Sequence, residues 1–178
     1  MAVSDIAIQE PIEQAVEALL EAHRGTALQY TPKDEKGNTG AAVNIPILKV
    51  FEDEDDDSPD DEDGVELPVI TVAALEAEIR HPQHAIPNSK CTLVIKLWNS
   101  ARDVTLAQHR TQFERISGIV HLVDDSVSPP SMVPLLNALG TAGITFEKWE
   151  VLRSERDVET EDEAIWSGWE IEVWAYPT

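Results

Sequence analysis

Metal chemistry requires histidine, cysteine or carboxylate groups at ligand spacing, and the nearest approach to that here is His81-Pro-Gln-His84 with Cys91. A structural zinc needs four such donors. Pro82 and Pro87 make the segment a loop and no fourth ligand accompanies it, so no zinc is expected. Glu52–Asp63 invites a calcium reading, because ten of its twelve residues are Asp or Glu. An EF-hand loop starting at Asp53 would need Gly at its sixth position and Glu at its twelfth, where the chain has Ser58 and Gly64. Such a block is expected to be a self-repelling, solvated loop that gathers counterions without selectivity. Acid–base or two-metal chemistry could be drawn from Asp124-Asp125 with His121 and His109. Carboxylates at the C-terminal end of a helix face its negative pole, so a solvated terminus is the expectation. Ser117, Ser131 and Ser167 lack the Gly-x-Ser-x-Gly setting of a hydrolase nucleophile. Neither a phosphate-cradling glycine loop nor a dinucleotide fingerprint is present. The residues argue for no enzyme, no metal and no cofactor.

The elements that would position these groups follow from periodicity. Pro11 opens a helical pattern with Ile12, Val16, Leu19, Leu20 and His23 on one face, closed by Gly25. Val43–Phe51 alternates as a strand, and Pro46 restricts it to an edge or a bulge. Leu67–Val72 predicts a short strand, and Ala73–Arg80 reads equally as a helical turn or an extended continuation. Cys91–Ser100 predicts a central strand with apolar residues on both faces. Cys91, with no His or Cys at ligand spacing, is expected to be a small core residue in a reducing compartment. Thr105 and Gln108 form a capping-box pair for a helix reaching Val123, striped by Leu106, Phe113, Ile116, Val120 and Val123. A short helix follows at Met132–Leu139. The chain then closes with Ile144–Glu155 and Trp166–Tyr176, an antiparallel hairpin joined by Arg156–Glu163. The order predicts an α+β fold: a mixed or antiparallel sheet of four to five strands packed against helices, in one domain spanning residues 1–178 with an acidic loop insertion at about 52–64.

The chain has 178 residues, 42% of them hydrophobic, which suffices for a sizeable core. No apolar run approaches the roughly 20 residues that cross a bilayer. Met1–Glu10 has no basic region followed by an apolar stretch, so a soluble protein without a secretory signal is expected. The net charge is −21, and setting aside the acidic block leaves −11. With 34 acidic against 13 basic residues, binding nucleic acid by neutralising phosphates is not expected. All five tryptophans lie in the second half. Trp98, Trp174 and Tyr176 become candidate interface anchors if the second sheet face is left open.

The N-terminal amphipathic helix, Leu67-Pro-Val-Ile-Thr-Val72, Thr92–Trp98, the helix with His109 and Phe113, the Leu135–Leu139 helix and the closing Trp169-Glu-Ile-Glu-Val-Trp-Ala-Tyr-Pro177 strand together resemble the lambda-type tail terminator, or tail-completion, proteins of long-tailed bacteriophages. The resemblance lies in layout and strand character across nearly the whole chain. It implies a structural virion protein of the tail and neck region, assembled in the host cytoplasm. Such a subunit forms a hexameric ring that caps the tail tube protein, ends its polymerisation and meets the head-completion or stopper protein. DNA would pass through without specific binding, along a conduit better lined by negative charge. On that reading Glu52, Asp53, Glu54, Asp55, Asp56, Asp57, Asp60, Asp61, Glu62 and Asp63 face either the lumen or the outside. The alternatives are another head–tail connector, or a cytosolic acidic module that mimics nucleic acid for a basic partner.

Overall fold

The computed structural model describes residues 8–49, 67–80, 88–101, 103–139, 143–159 and 164–177. The acidic block and His81-Pro-Gln-His84 lie outside them. The expected α+β architecture is present. The elements run α1 (Gln9–His23), β1 (Gln29–Tyr30), β2 (Val43–Asn44), β3 (Ile47–Lys49), β4 (Val69–Arg80), β5 (Asn88–Ser100), α2 (Leu106–Val120), α3 (Val133–Ala138), β6 (Ile144–Glu159) and β7 (Ala164–Pro177). The main sheet has the order β3-β4-β5-β7-β6, parallel only at β3–β4. β1 and β2 form a separate antiparallel pair.

Helix α1 starts two residues before Pro11, which still falls in the first turn, where its missing N–H costs no hydrogen bond. Its apolar face, Ile12, Ala15, Val16, Leu19 and Leu20, is fully buried against the sheet. At Gly25 the backbone turns left-handed (φ 59°) and ends the helical run. Arg115 of α2 donates to the carbonyls of His23 and Arg24, satisfying groups that the helix end leaves open.

Pro46 divides the expected Val43–Phe51 strand. Its lack of an N–H breaks the run, so β2 joins β1 while β3 becomes the edge of the main sheet. The Pro46 carbonyl accepts from Ile70 N at 2.8 Å, leading the chain into β3 beside β4. Beyond Val72 the chain stays extended. Alanines that favour a helix in isolation are held by pairing with β5. The ladder shifts register between Ala74 and Ala77, and α1 serves the backbone there: Glu13 accepts from Ala74 N at 2.9 Å and Gln9 donates to Leu75 O at 2.7 Å.

The capping box at α2 is formed, with Gln108 N donating to Thr105 Oγ1 at 3.2 Å and Thr105 N to Gln108 Oε1 at 2.9 Å. The expected stripe is corrected. The helix ends at Val120, Leu106 and Val123 are 41% and 45% exposed, and the buried face is His109, Gln112, Ile116, Ile119 and Val120. The sheet beneath the first turns offers polar partners, so polar residues turn inward. Helix α3 is tied to β6 through Asn137, whose side chain accepts from Phe146 N and donates to Phe146 O.

The closing hairpin is longer than expected. Arg156–Glu159 belong to β6, with Val158 opposite Trp166 and Glu159 opposite Ile165. Three register shifts punctuate β6, at 146/148, 151/153 and 155/158. They break up the regular main-chain edge that an unpaired terminal strand would otherwise offer.

Candidate functional site

Among the described residues two places concentrate chemistry: a buried polar cluster between α2 and the sheet, and the sheet face turned away from the helices.

Residues of one phase in β5 (Leu93, Ile95, Leu97, Asn99) and in β7 (Ser167, Trp169, Ile171, Val173, Ala175) point at the helices and are buried. Asn99 and Ser167 are the polar members, and His109 and Gln112 of α2 meet them. Asn99 Nδ2 lies 2.7 Å from His109 Nδ1 and 2.8 Å from Gln112 Oε1, and His109 Nε2 lies 2.7 Å from Ser167 Oγ. Ser167 Oγ also accepts the Asp157 backbone N–H at 3.1 Å. Serine, imidazole and amide are thus in the linear order of a hydrolase triad. The setting is not that of a nucleophile. Asn99, His109 and Ser167 are each fully buried, and none of them lines the open cleft beside Tyr30, Thr105 and Gln108 or the shallow groove beside Lys96 and Trp166. Only Gln112 reaches the cleft. Burial holds the imidazole below its ordinary pKa, Asp157 opposing this and Arg110 adding to it. What the cluster does is join α2, β5, β6 and β7 at one point.

Asp157 marks the β6 side of that junction. It takes a left-handed backbone (φ 58°), which aspartate tolerates better than most side chains, within the register shift at 155/158. Its carboxylate binds Arg110 at 2.8 Å and Arg156 at 3.4 Å.

The opposite sheet face carries cross-strand rows. Lys148, Trp174 and Lys90 form one; Glu150, Glu172 and Thr92 the next; then Arg153, Glu170 and Val94; then Glu155, Gly168 and Lys96. The charges pair within the face: Glu172 binds Lys90 at 2.6 Å and Lys148 at 2.8 Å, and Arg153 binds Glu170 at 2.6 Å. Lys148 and Lys90, with a bond from Trp174 Nε1, hold the Glu172 carboxyl at a pKa of about 2. Lys96 stands 5.0 Å from the centre of the Trp166 ring and 5.6 Å from that of Trp98, whose own centroids are 5.9 Å apart. A Cβ at Gly168 would come within 3.1 Å of the Trp166 ring, so glycine lets that ring lie across the strand. Of the expected anchors, Trp174 and Tyr176 are half-buried on this face, whereas Trp98 is only 3% exposed and packs on Trp166. Trp98 therefore supports this face from within it.

The other sequence candidates stay apart. His121 is exposed, and Asp124 is spent on Ser126 N and Oγ. Cys91 is buried in the core, its thiol pushed up to about 12 by burial and then by Glu13. Among the described residues no group of three His, Cys, Asp or Glu side chains could hold a metal ion. No protein-family model matches the chain, and no curated protein is detectably similar to it.

Proposed function

We propose that this protein is a structural virion subunit, a tail terminator whose ring caps the tail tube, ends its polymerisation and joins the tail to the head. The observation that carries the reading is the layout among the described residues: one layer of three α-helices over one face of a mixed five-stranded sheet that closes in a hairpin of 16- and 14-residue strands. This is the α+β arrangement expected from the order of elements along the chain, the same layout on which the resemblance rests. The chemistry is consistent with a scaffold role, since the triad-like groups are consumed in holding elements together. The open sheet face, with Trp174 and Tyr176, is a rigid surface of the kind a subunit presents to neighbours. In the assembled form we expect a homo-hexameric ring contacting tube protein on one side and a head-completion protein on the other.

The test is electron microscopy of lysates from a virus carrying a nonsense codon early in the gene. Overlong tubes lying apart from DNA-filled heads are expected. Normal-length tails left unattached would replace this reading with another neck component, and intact infectious particles would remove the virion role.

A further inference from the structure

The buried cluster has a property that a purely apolar joint would lack: its hydrogen bonds depend on the protonation state of one ring. We propose that Asn99, His109, Gln112 and Ser167 form a proton-operated latch, tying the β6–β7 hairpin to α2 and β5 while His109 is neutral and releasing it when His109 is protonated. This goes beyond the tail reading and does not depend on it.

A neutral imidazole offers one acceptor and one donor. Here Nδ1 accepts from Asn99 Nδ2, so the proton sits on Nε2 and is donated to Ser167 Oγ. Both Asn99 amide protons are spent, the second on Gln112 Oε1. A proton added at Nδ1 would set two donors against each other across 2.7 Å. Relief requires the Asn99 amide to invert, which turns its oxygen toward Gln112 Oε1, so Gln112 must turn as well. All of these side chains are at most 4% exposed, and none can rearrange alone.

The new charge would also find little compensation. The charged groups that face the ring are Asp157 from β6 and Arg110 from α2, while β5 and β7 present the neutral Asn99 and Ser167. Asp157 is engaged by Arg110 and Arg156 through Oδ2, leaving only its Oδ1 without a hydrogen-bond partner, and Arg110 repels an imidazolium. A buried cation without a dedicated partner is expelled or opens its surroundings. The element that gives way is β6 around Asp157. Its ladder to β7 is already interrupted at 155/158, and the Asp157 N–H donates to Ser167 Oγ.

The experiment is hydrogen–deuterium exchange of the full chain from about pH 7.5 to about pH 4.5, corrected for the intrinsic effect of pH on exchange. Peptides covering 153–159 and 164–170 are compared with the central strand at 93–97. In the wild type, protection of the hairpin peptides should fall by about tenfold or more across the range while the central strand stays protected. His109→Gln keeps a donor and an acceptor but cannot titrate, and should hold the hairpin protected throughout. Ser167→Ala keeps the titrating ring but cuts the tie, so its hairpin should be weakly protected at every pH, which gives a reading even if the glutamine variant does not fold. Unchanged hairpin protection in the wild type overturns the latch. So does wild-type pH dependence surviving in either variant.

Discussion

Glu172 gathers three donors on the open sheet face: Lys148, Lys90 and the Trp174 indole. Their combined pull holds its pKa at about 2, against an ordinary glutamate value of about 4.3. Because the folded-state pKa is depressed, the linked stability is fully present above the unfolded value and is lost as pH falls toward about 2. Glu172→Gln should therefore cost about 1 kcal/mol near neutral pH, a magnitude set by partly solvated pairs. By about pH 2 the variant and the wild type should unfold at the same denaturant concentration. Urea titrations at several pH values check this, and a gap that persists at the acid end would mean that Glu172 contributes by packing instead of charge. His109 acts in the same direction through a different cause. Its folded-state pKa is lowered by burial, so the unfolded chain takes up protons first and stability falls on acidification below about 6.5.

The elements show how far periodicity reads a chain and where it stops. The β7 alternation is legible because Trp169, Ile171, Val173 and Ala175 are all buried, and the capping box is legible because Thr105 and Gln108 sit three residues apart. Thr105→Ala should remove one cap and cost about 1 kcal/mol, measured by thermal or urea unfolding. Loss of the cap should also increase exchange of the α2 first-turn amides, and an unchanged first turn would mean that packing alone holds the helix start. The His109–Ser167 contact was illegible to motif reading because its partners are 58 residues apart. A signal was nonetheless present. Asn99 continues the phase of Leu93, Ile95 and Leu97, Ser167 that of Trp169 and Ile171, and His109 and Gln112 that of Ile116 and Val120. Polar residues in phase with three apolar stripes mark a buried polar junction. A stripe drawn from apolar residues alone leaves out His109 and Gln112 and takes in Leu106 and Val123. Pro46 limited its run to an edge or a bulge, and both halves are edge strands; what the sequence did not reveal is that pairing partners send the two halves into different sheets.

For the whole molecule the governing quantity is charge. At −21, any two copies repel at long range, and the proposed ring would have to overcome that repulsion at each contact. On the open sheet face, by contrast, Lys90, Lys96, Lys148 and Arg153 balance Glu150, Glu155, Glu170 and Glu172, so copies could approach there with little net opposition. Salt should therefore promote assembly. The screening length shrinks from roughly 14 Å near 50 mM salt to roughly 4 Å near 500 mM, shortening the reach of surface repulsion. Sedimentation velocity of the purified protein should show a larger species gaining population over that range. Replacing Glu52–Asp63 with Gly and Ser lowers the charge to −11 and should shift the same transition to lower salt without abolishing it. Salt that dissociates the assembly would mean that opposite charges, not apolar and aromatic contacts, hold the subunits together. Assembly lost on replacing the block would make those ten carboxylates the binding element and favour an acidic module that meets a basic partner.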